Sequence, residues 1–215
     1  MKIRLNKVHH PVTALGPGRR LGIWFQGCSI RCAGCISQDT WDAGAGSTLE
    51  VEDLLDRIVH MTEIPPDGVT ITGGEPFDQP AALLELLRAL NLWRNEVQRP
   101  VDFLAYSGYS LKRLSESHGA LLELLDAVIV GPYQQRKPTR RIWRGSDNQT
   151  IVPLTPAGFE RYQECVSLEP SNPPIQVLVD HAIWLIGVPR AGDMARLESM
   201  LEAAGVYLEG PSWRA

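Results

Sequence analysis

The sequence predicts an α/β fold built on a mainly parallel sheet, and three observations predict it. From about residue 20 to residue 130, strand-like segments alternate with segments of helical periodicity. The connections between them are short, and three of the strand-like segments run straight into a cysteine- or glycine-bearing turn. Short crossovers make neighbouring strands parallel, and ligands of such sheets bind beyond the carboxyl ends of the strands. The 215 residues, 44% apolar and 21% charged, suit one globular domain spanning 1–215 and exclude low-complexity disorder. A formal charge of −4 gives no reason for general nucleic-acid or anionic-membrane binding. No stretch approaches the ~18 apolar residues of a membrane span, and residues 1–7 lack the apolar run of a secretory signal. The expectation is a cytoplasmic protein without a membrane partner.

Taken in order, Arg20-Leu21-Gly22-Ile23-Trp24-Phe25 is a β-rich run ending at a cysteine cluster. Ser47 and Glu50, three apart, read as a capping box for a helix carrying Val51, Leu54, Leu55, Ile58 and Val59. Pro65-Pro66-Asp67-Gly68 breaks the chain, Val69 to Thr72 is a short strand, and Gly73-Gly74-Glu75-Pro76 ends it. A second helix follows Pro80, with Leu83, Leu84, Leu87 and Leu90 on one face. Val101 to Ala105 is the next strand, Ser107-Gly108-Tyr109 a turn, and about Leu111 to Leu125 one broken helix before the strand Ala127 to Val130. Residues 133–150 read as a long, basic surface loop, and Thr155 to Cys165 as a short helix. Ile175 to Val179 and Ile183 to Gly187 flank Asp180-His181 as a hairpin, followed by a last helix with Met194, Leu197, Leu201 and Ala204.

Three of the four cysteines fall within eight residues, at Cys28, Cys32 and Cys35. Such clustering points to a metal in a reducing compartment rather than to a disulfide framework. Three thiolates are one short of the set a structural zinc takes, so zinc needs Cys165 or a His as well. A cubane four-iron cluster given three thiolates keeps one open iron. Both readings stand on the triplet alone. Gly73 and Gly74, lacking Cβ atoms, let backbone carbonyls approach a ligand, and Glu75 adds a carboxylate; together these suit an ammonium, although a plain strand-to-helix turn needs the same residues.

CxxxCxxC followed by Gly-Gly-Glu-Pro at a strand end resembles the radical S-adenosylmethionine (SAM) enzymes. Gly16-Pro17-Gly18-Arg19, Trp24-Phe25-Gln26-Gly27-Cys28, Tyr106-Ser107-Gly108-Tyr109 and Arg144-Gly145-Ser146-Asp147-Asn148-Gln149 are similar to the activating proteins of anaerobic ribonucleotide reductase, from about residue 8 to residue 152. The resemblance implies a partial, incomplete β/α barrel, with the C-terminal hairpin and helix added. It implies one 4Fe-4S cluster on Cys28, Cys32 and Cys35, with SAM chelating the fourth iron. Gly73, Gly74 and Glu75 would receive the SAM ammonium, and Gly34, Cys35 and Ile36 would line the cofactor. Ser107 would reach its polar groups, or serve only the turn. Reductive cleavage of SAM would yield a 5′-deoxyadenosyl radical, which in an activase takes hydrogen from a backbone glycine of a partner glycyl-radical enzyme. A flavodoxin- or ferredoxin-type protein would donate the electron.

Other features read as structural or as docking surface. Asp126 precedes a strand and reads as structural; Cys165 reads as a buried free thiol. His9-His10 fits a strand or surface role, and Trp24 packs in the core or shields the cluster. Arg136-Lys137-Pro138-Thr139-Arg140-Arg141, with Arg144 nearby, is a solvated loop or a patch for an acidic partner. Four cysteines are too few to supply a second cluster. Two rival functions remain: a radical SAM enzyme acting on a small molecule or peptide, and a non-catalytic metal-binding docking module.

Overall fold

The computed structural model describes residues 1–179 and 183–214; the turn expected at Asp180-His181 lies outside the described residues. A seven-stranded sheet runs through the molecule. Its strands are β1 (Lys2–Val12), β2 (Arg20–Phe25), β3 (Ser47–Glu50), β4 (Gly68–Gly73), β5 (Asp102–Ser107), β6 (Ala127–Val130) and β7 (Thr150–Pro153). Their spatial order is β3-β1-β2-β4-β5-β6-β7. The central four, β2, β4, β5 and β6, are parallel, while β1, β3 and β7 pair antiparallel at the flanks. The mainly parallel centre is as the alternation predicts.

Register sets the site. Phe25 pairs with Gly73, and Ser107 with Val130, so the parallel strands finish along one edge. The cysteine loop, the Gly-Gly-Glu turn and the Ser-Gly-Tyr turn leave from that edge side by side. Helices α1 (Val51–Met61), α2 (Pro80–Glu96) and α3 (Leu111–Leu122) precede or link these strands. Because β4, β5 and β6 step across the sheet in one direction, right-handed crossovers keep the helices on one face. There Leu54, Ile58, Leu83, Leu87, Leu90 and Leu114 bury against Ile23, Ile71, Phe103 and Val128. Strand alternation turns Leu104, Ala127 and Ile129 to the other face, where they meet Ile151, Trp143 and Tyr162.

At the opposite, amino edge of the sheet lies a buried ion pair. Arg20, 0% exposed, donates to both carboxylate oxygens of Asp102 at 3.0 and 2.8 Å, and its Nε donates to Thr70 at 2.6 Å. Arg161 Nε adds a contact to Asp102 at 2.7 Å, and the Tyr162 hydroxyl donates to the same carboxylate. Asp126 is likewise structural, accepting from Phe103 N, Arg94 and Thr155.

Two expectations are corrected. Ser47 to Glu50 is strand β3 rather than a capping box: Leu5 pairs with Ser47 and Lys2 with Glu50, and α1 begins at Val51 with no side-chain cap. Pairing with β1, some 45 residues away, outcompetes the local cap. Residues 133–150 are not simply a surface loop, since Trp143 and Arg144 are buried. Arg144 donates to the Cys165 and Val166 carbonyls at 3.1 and 2.8 Å, which removes it from the basic patch. The other expected elements form: α3 is kinked at His118, α4 (Pro156–Tyr162) follows an N-cap at Thr155, β8 (Ile175–Val179) and β9 (Ile183–Gly187) make an antiparallel hairpin, and α5 (Asp193–Ala203) closes the chain. Trp24 packs with Val12, Leu15 and Ile186 in the core.

Candidate metal centre

The cysteine loop is tied to the sheet edge by its own backbone. Gly27 N donates to Thr40 O at 2.8 Å, Cys28 N to Trp41 O at 3.2 Å, and Glu75 N to Gly27 O at 2.9 Å. The two turns are thus stitched together. A Cβ at Gly74 would collide with the Gly27 carbonyl, so only glycine permits this approach. Between the first two cysteines Arg31 takes a positive φ of 48°, an uncommon conformation for a side-chain-bearing residue that this tethered loop maintains. Burial pushes all three cysteine thiols up, so ligating a metal must expel protons from them.

Glu75 is 1% exposed and heavily engaged. Its Oε1 accepts from Ser107 Oγ at 2.9 Å and Phe77 N at 3.2 Å, and its Oε2 from Gly108 N at 2.7 Å. Burial nevertheless outweighs these bonds and pushes its carboxyl up to about 7. A cation placed beside it would reverse that shift. Ser107 therefore acts on the carboxylate itself, besides facing the cavity.

One cavity of about 400 Å³ gathers the residues expected to hold the cluster and its cofactor: Cys28, Cys32, Cys35, Gly34, Ile36, Gly73, Gly74, Glu75 and Ser107 all line it. Cys165 and the His9-His10 pair do not; Cys165 packs beside Tyr162 and Trp143. Among the described residues, no three His, Cys, Asp or Glu side chains sit close enough to hold a single ion. Three thiols around a roomy cavity fit a larger inorganic core, and a buried carboxylate that pairs with no cation among the described residues fits an ammonium.

Sequence reasoning missed a supporting network. Asp78 accepts from Ser29 N at 2.7 Å, from Ser29 Oγ at 3.1 Å and from the Tyr109 hydroxyl at 2.5 Å. It joins three loops beside the cysteines, and Arg113 stacks over the Tyr109 ring at 3.7 Å. Also missed were the walls supplied by Tyr133, Trp143, Arg190, Met194 and Trp213. No local spacing marks any of these.

A family model described as a 4Fe-4S single cluster domain matches residues 14–152. The chain belongs to this iron-sulfur family. Among its relatives, the anaerobic ribonucleoside-triphosphate reductase-activating protein of Vibrio cholerae is 33% identical over 68% of this chain and 96% of its own length. The protein of that name from Escherichia coli is 29% identical over 66% and 94%, and that of phage T4 29% over 63% and 85%. QueE from Escherichia coli superposes on 50% of this chain and 53% of its own, at TM-score 0.39 and 22% identity. The resemblance to the activating proteins of anaerobic ribonucleotide reductase is borne out by these relatives. Hairpin β8–β9 and α5 lie beyond the matched residues. Among the described residues no helix is long and apolar enough to cross a membrane.

Proposed function

We propose that this chain is a radical SAM activase that forms a glycyl radical on a partner, the anaerobic ribonucleotide reductase. The reading is supported chiefly by one observation: three cysteines and a buried, cation-free Gly-Gly-Glu carboxylate share one cavity at the carboxyl edge of parallel strands. Cys28, Cys32 and Cys35 hold one 4Fe-4S cluster. Gly73 and Gly74 offer carbonyls, and Glu75 its carboxylate, to the SAM ammonium, while Gly34, Cys35, Ile36 and Ser107 enclose the cofactor. When bound, cluster and SAM supply reductive carbon–sulfur cleavage and hydrogen-atom abstraction by the 5′-deoxyadenosyl radical, with the electron arriving from a flavodoxin- or ferredoxin-type donor.

The chain's own tasks are binding, orientation and exclusion of water. Ser107 and Gly108 N fix the Glu75 carboxylate. The Ser29–Asp78–Tyr109 network holds the cysteine loop against the turn, and Trp143, Met194 and Trp213 keep the cavity apolar. The sheet arc, with helices on one face, serves as a partial barrel, and residues 1–215 as a single cytoplasmic domain.

The test is anaerobic cluster reconstitution, then dithionite and SAM, with chromatography for 5′-deoxyadenosine and Cys32→Ala as control. Nucleoside from the wild type alone is expected; none from either overturns the reading. Mixing with the reductase should then give a glycine-centred radical by electron paramagnetic resonance. The walls added by Arg190, Met194 and Trp213, outside the matched residues, favour a second reading in which a small molecule or peptide is the substrate. Turnover of a metabolite without a protein radical would favour it.

A further inference from the structure

Two polar groups of the cavity have no use in the reading above. Among the described residues, the Tyr106 hydroxyl and the Trp143 indole N–H find no hydrogen-bond partner although both are buried, and both residues line the cavity with the cysteines. Native proteins satisfy nearly all buried polar groups, so an exception on a cavity wall marks a place where a ligand atom completes the bond. Trp143 is 6% exposed, and Tyr106 packs against the same apolar cluster of Leu104, Ile129 and Tyr162. Both residues thus belong to one cluster on one cavity wall.

Their position separates them from the groups that grip the ammonium. Tyr106 and Ser107 are neighbours on β5, but strand alternation sends Ser107 toward Glu75 and Tyr106 to the opposite face, with Trp143 and Tyr162. Tyr106 also borders an adjoining cavity of about 650 Å³, walled largely by residues 183–213, and Trp213 borders both. Space beside Tyr106 thus continues away from the cysteines. An indole N–H only donates, and a tyrosine hydroxyl donates readily, so the pair calls for acceptor oxygens. The cations around this wall are already engaged: Arg190 with the Ser171 and Pro170 carbonyls, Arg144 with those of Cys165 and Val166, and Arg20 with Asp102. Neutral donors without a free cation suit neutral carbonyls rather than phosphate or carboxylate.

We infer that Tyr106 and Trp143 are positioning donors for the substrate, holding main-chain carbonyl oxygens of the polypeptide segment that enters the cavity beside the cluster. The inference rests on the activase reading and names how that site holds its partner. Tyr106→Phe and Trp143→Phe test it, each removing a donor and leaving an aromatic ring.

Three readouts apply. Because the Tyr106 hydroxyl has no partner among the described residues, Tyr106→Phe should leave the thermal midpoint of the cluster-free protein undiminished. The SAM dissociation constant of Tyr106→Phe should match the wild type. Glycyl-radical spins formed per 5′-deoxyadenosine should fall roughly fivefold for each donor deleted. SAM affinity falling as far as the spin yield would make these cofactor contacts and overturn the inference, as would an unchanged spin yield or a markedly lower midpoint for Tyr106→Phe. Absence of 5′-deoxyadenosine from the wild type removes the activase reading and the inference with it; intact cleavage with unchanged spin yield removes the inference alone.

Discussion

At Glu75, desolvation raises a carboxyl from its ordinary 4.5 to about 7 despite three accepted hydrogen bonds. The folded state thus favours the protonated form. The associated stability is fully present below pH 4.5 and is lost as pH rises through 7, amounting to about 3 kcal/mol. Denaturant unfolding of the cluster-free protein at pH 5 and pH 8 should show this loss, and Glu75→Gln should shrink the difference. A SAM ammonium beside the carboxylate favours its charged form and should diminish the loss too. Gly74→Ala places a methyl against the Gly27 carbonyl and should cost about 1–3 kcal/mol, with lower iron retention, as iron analysis and thermal melts would reveal. The cysteines and the glycine pair were legible because ligand chemistry imposes short spacings within one loop. Asp78 and Tyr109 were not, because their partnership with Ser29 is made by three loops brought together only by folding.

Elements divide the sheet into a chemical edge and a stabilising edge. Alternating periodicity made β2, β4, β5 and β6 and their helices readable, since each buries a continuous apolar face. The antiparallel flanks were not readable. Residues 2–12 carry few apolar side chains, and Ser47 to Glu50 satisfies a helix-start pattern until β1 claims it. At the amino edge, Asp102→Ala would strand the buried Arg20 charge and should destabilise the fold by about 3–5 kcal/mol. Because this edge is remote from the cavity, Asp102→Ala protein that remains folded should still reconstitute a cluster. Guanidine titration with visible absorption of the cluster separates the two effects.

Across the whole molecule, charge is weakly negative, and the exposed Arg136, Lys137, Arg140 and Arg141 form a local basic surface beside the cavity wall. Reversing Arg140 and Arg141 to Glu should weaken engagement of an acidic partner while uncoupled SAM cleavage persists; binding measured against ionic strength checks this. The residues after 152 fall outside the family match yet bring Arg190, Met194 and Trp213 to the site. Their tail is fastened to the cysteine loop, with Ser212 Oγ donating to Ile36 O at 3.3 Å and Gln38 Nε2 to Trp213 O at 3.3 Å. The most direct measurement is electron paramagnetic resonance of the reduced, anaerobically purified protein with and without SAM. A four-iron signal that changes on adding SAM, and is missing in Cys32→Ala, is expected; zinc in place of iron, or a cluster signal indifferent to SAM, would contradict it.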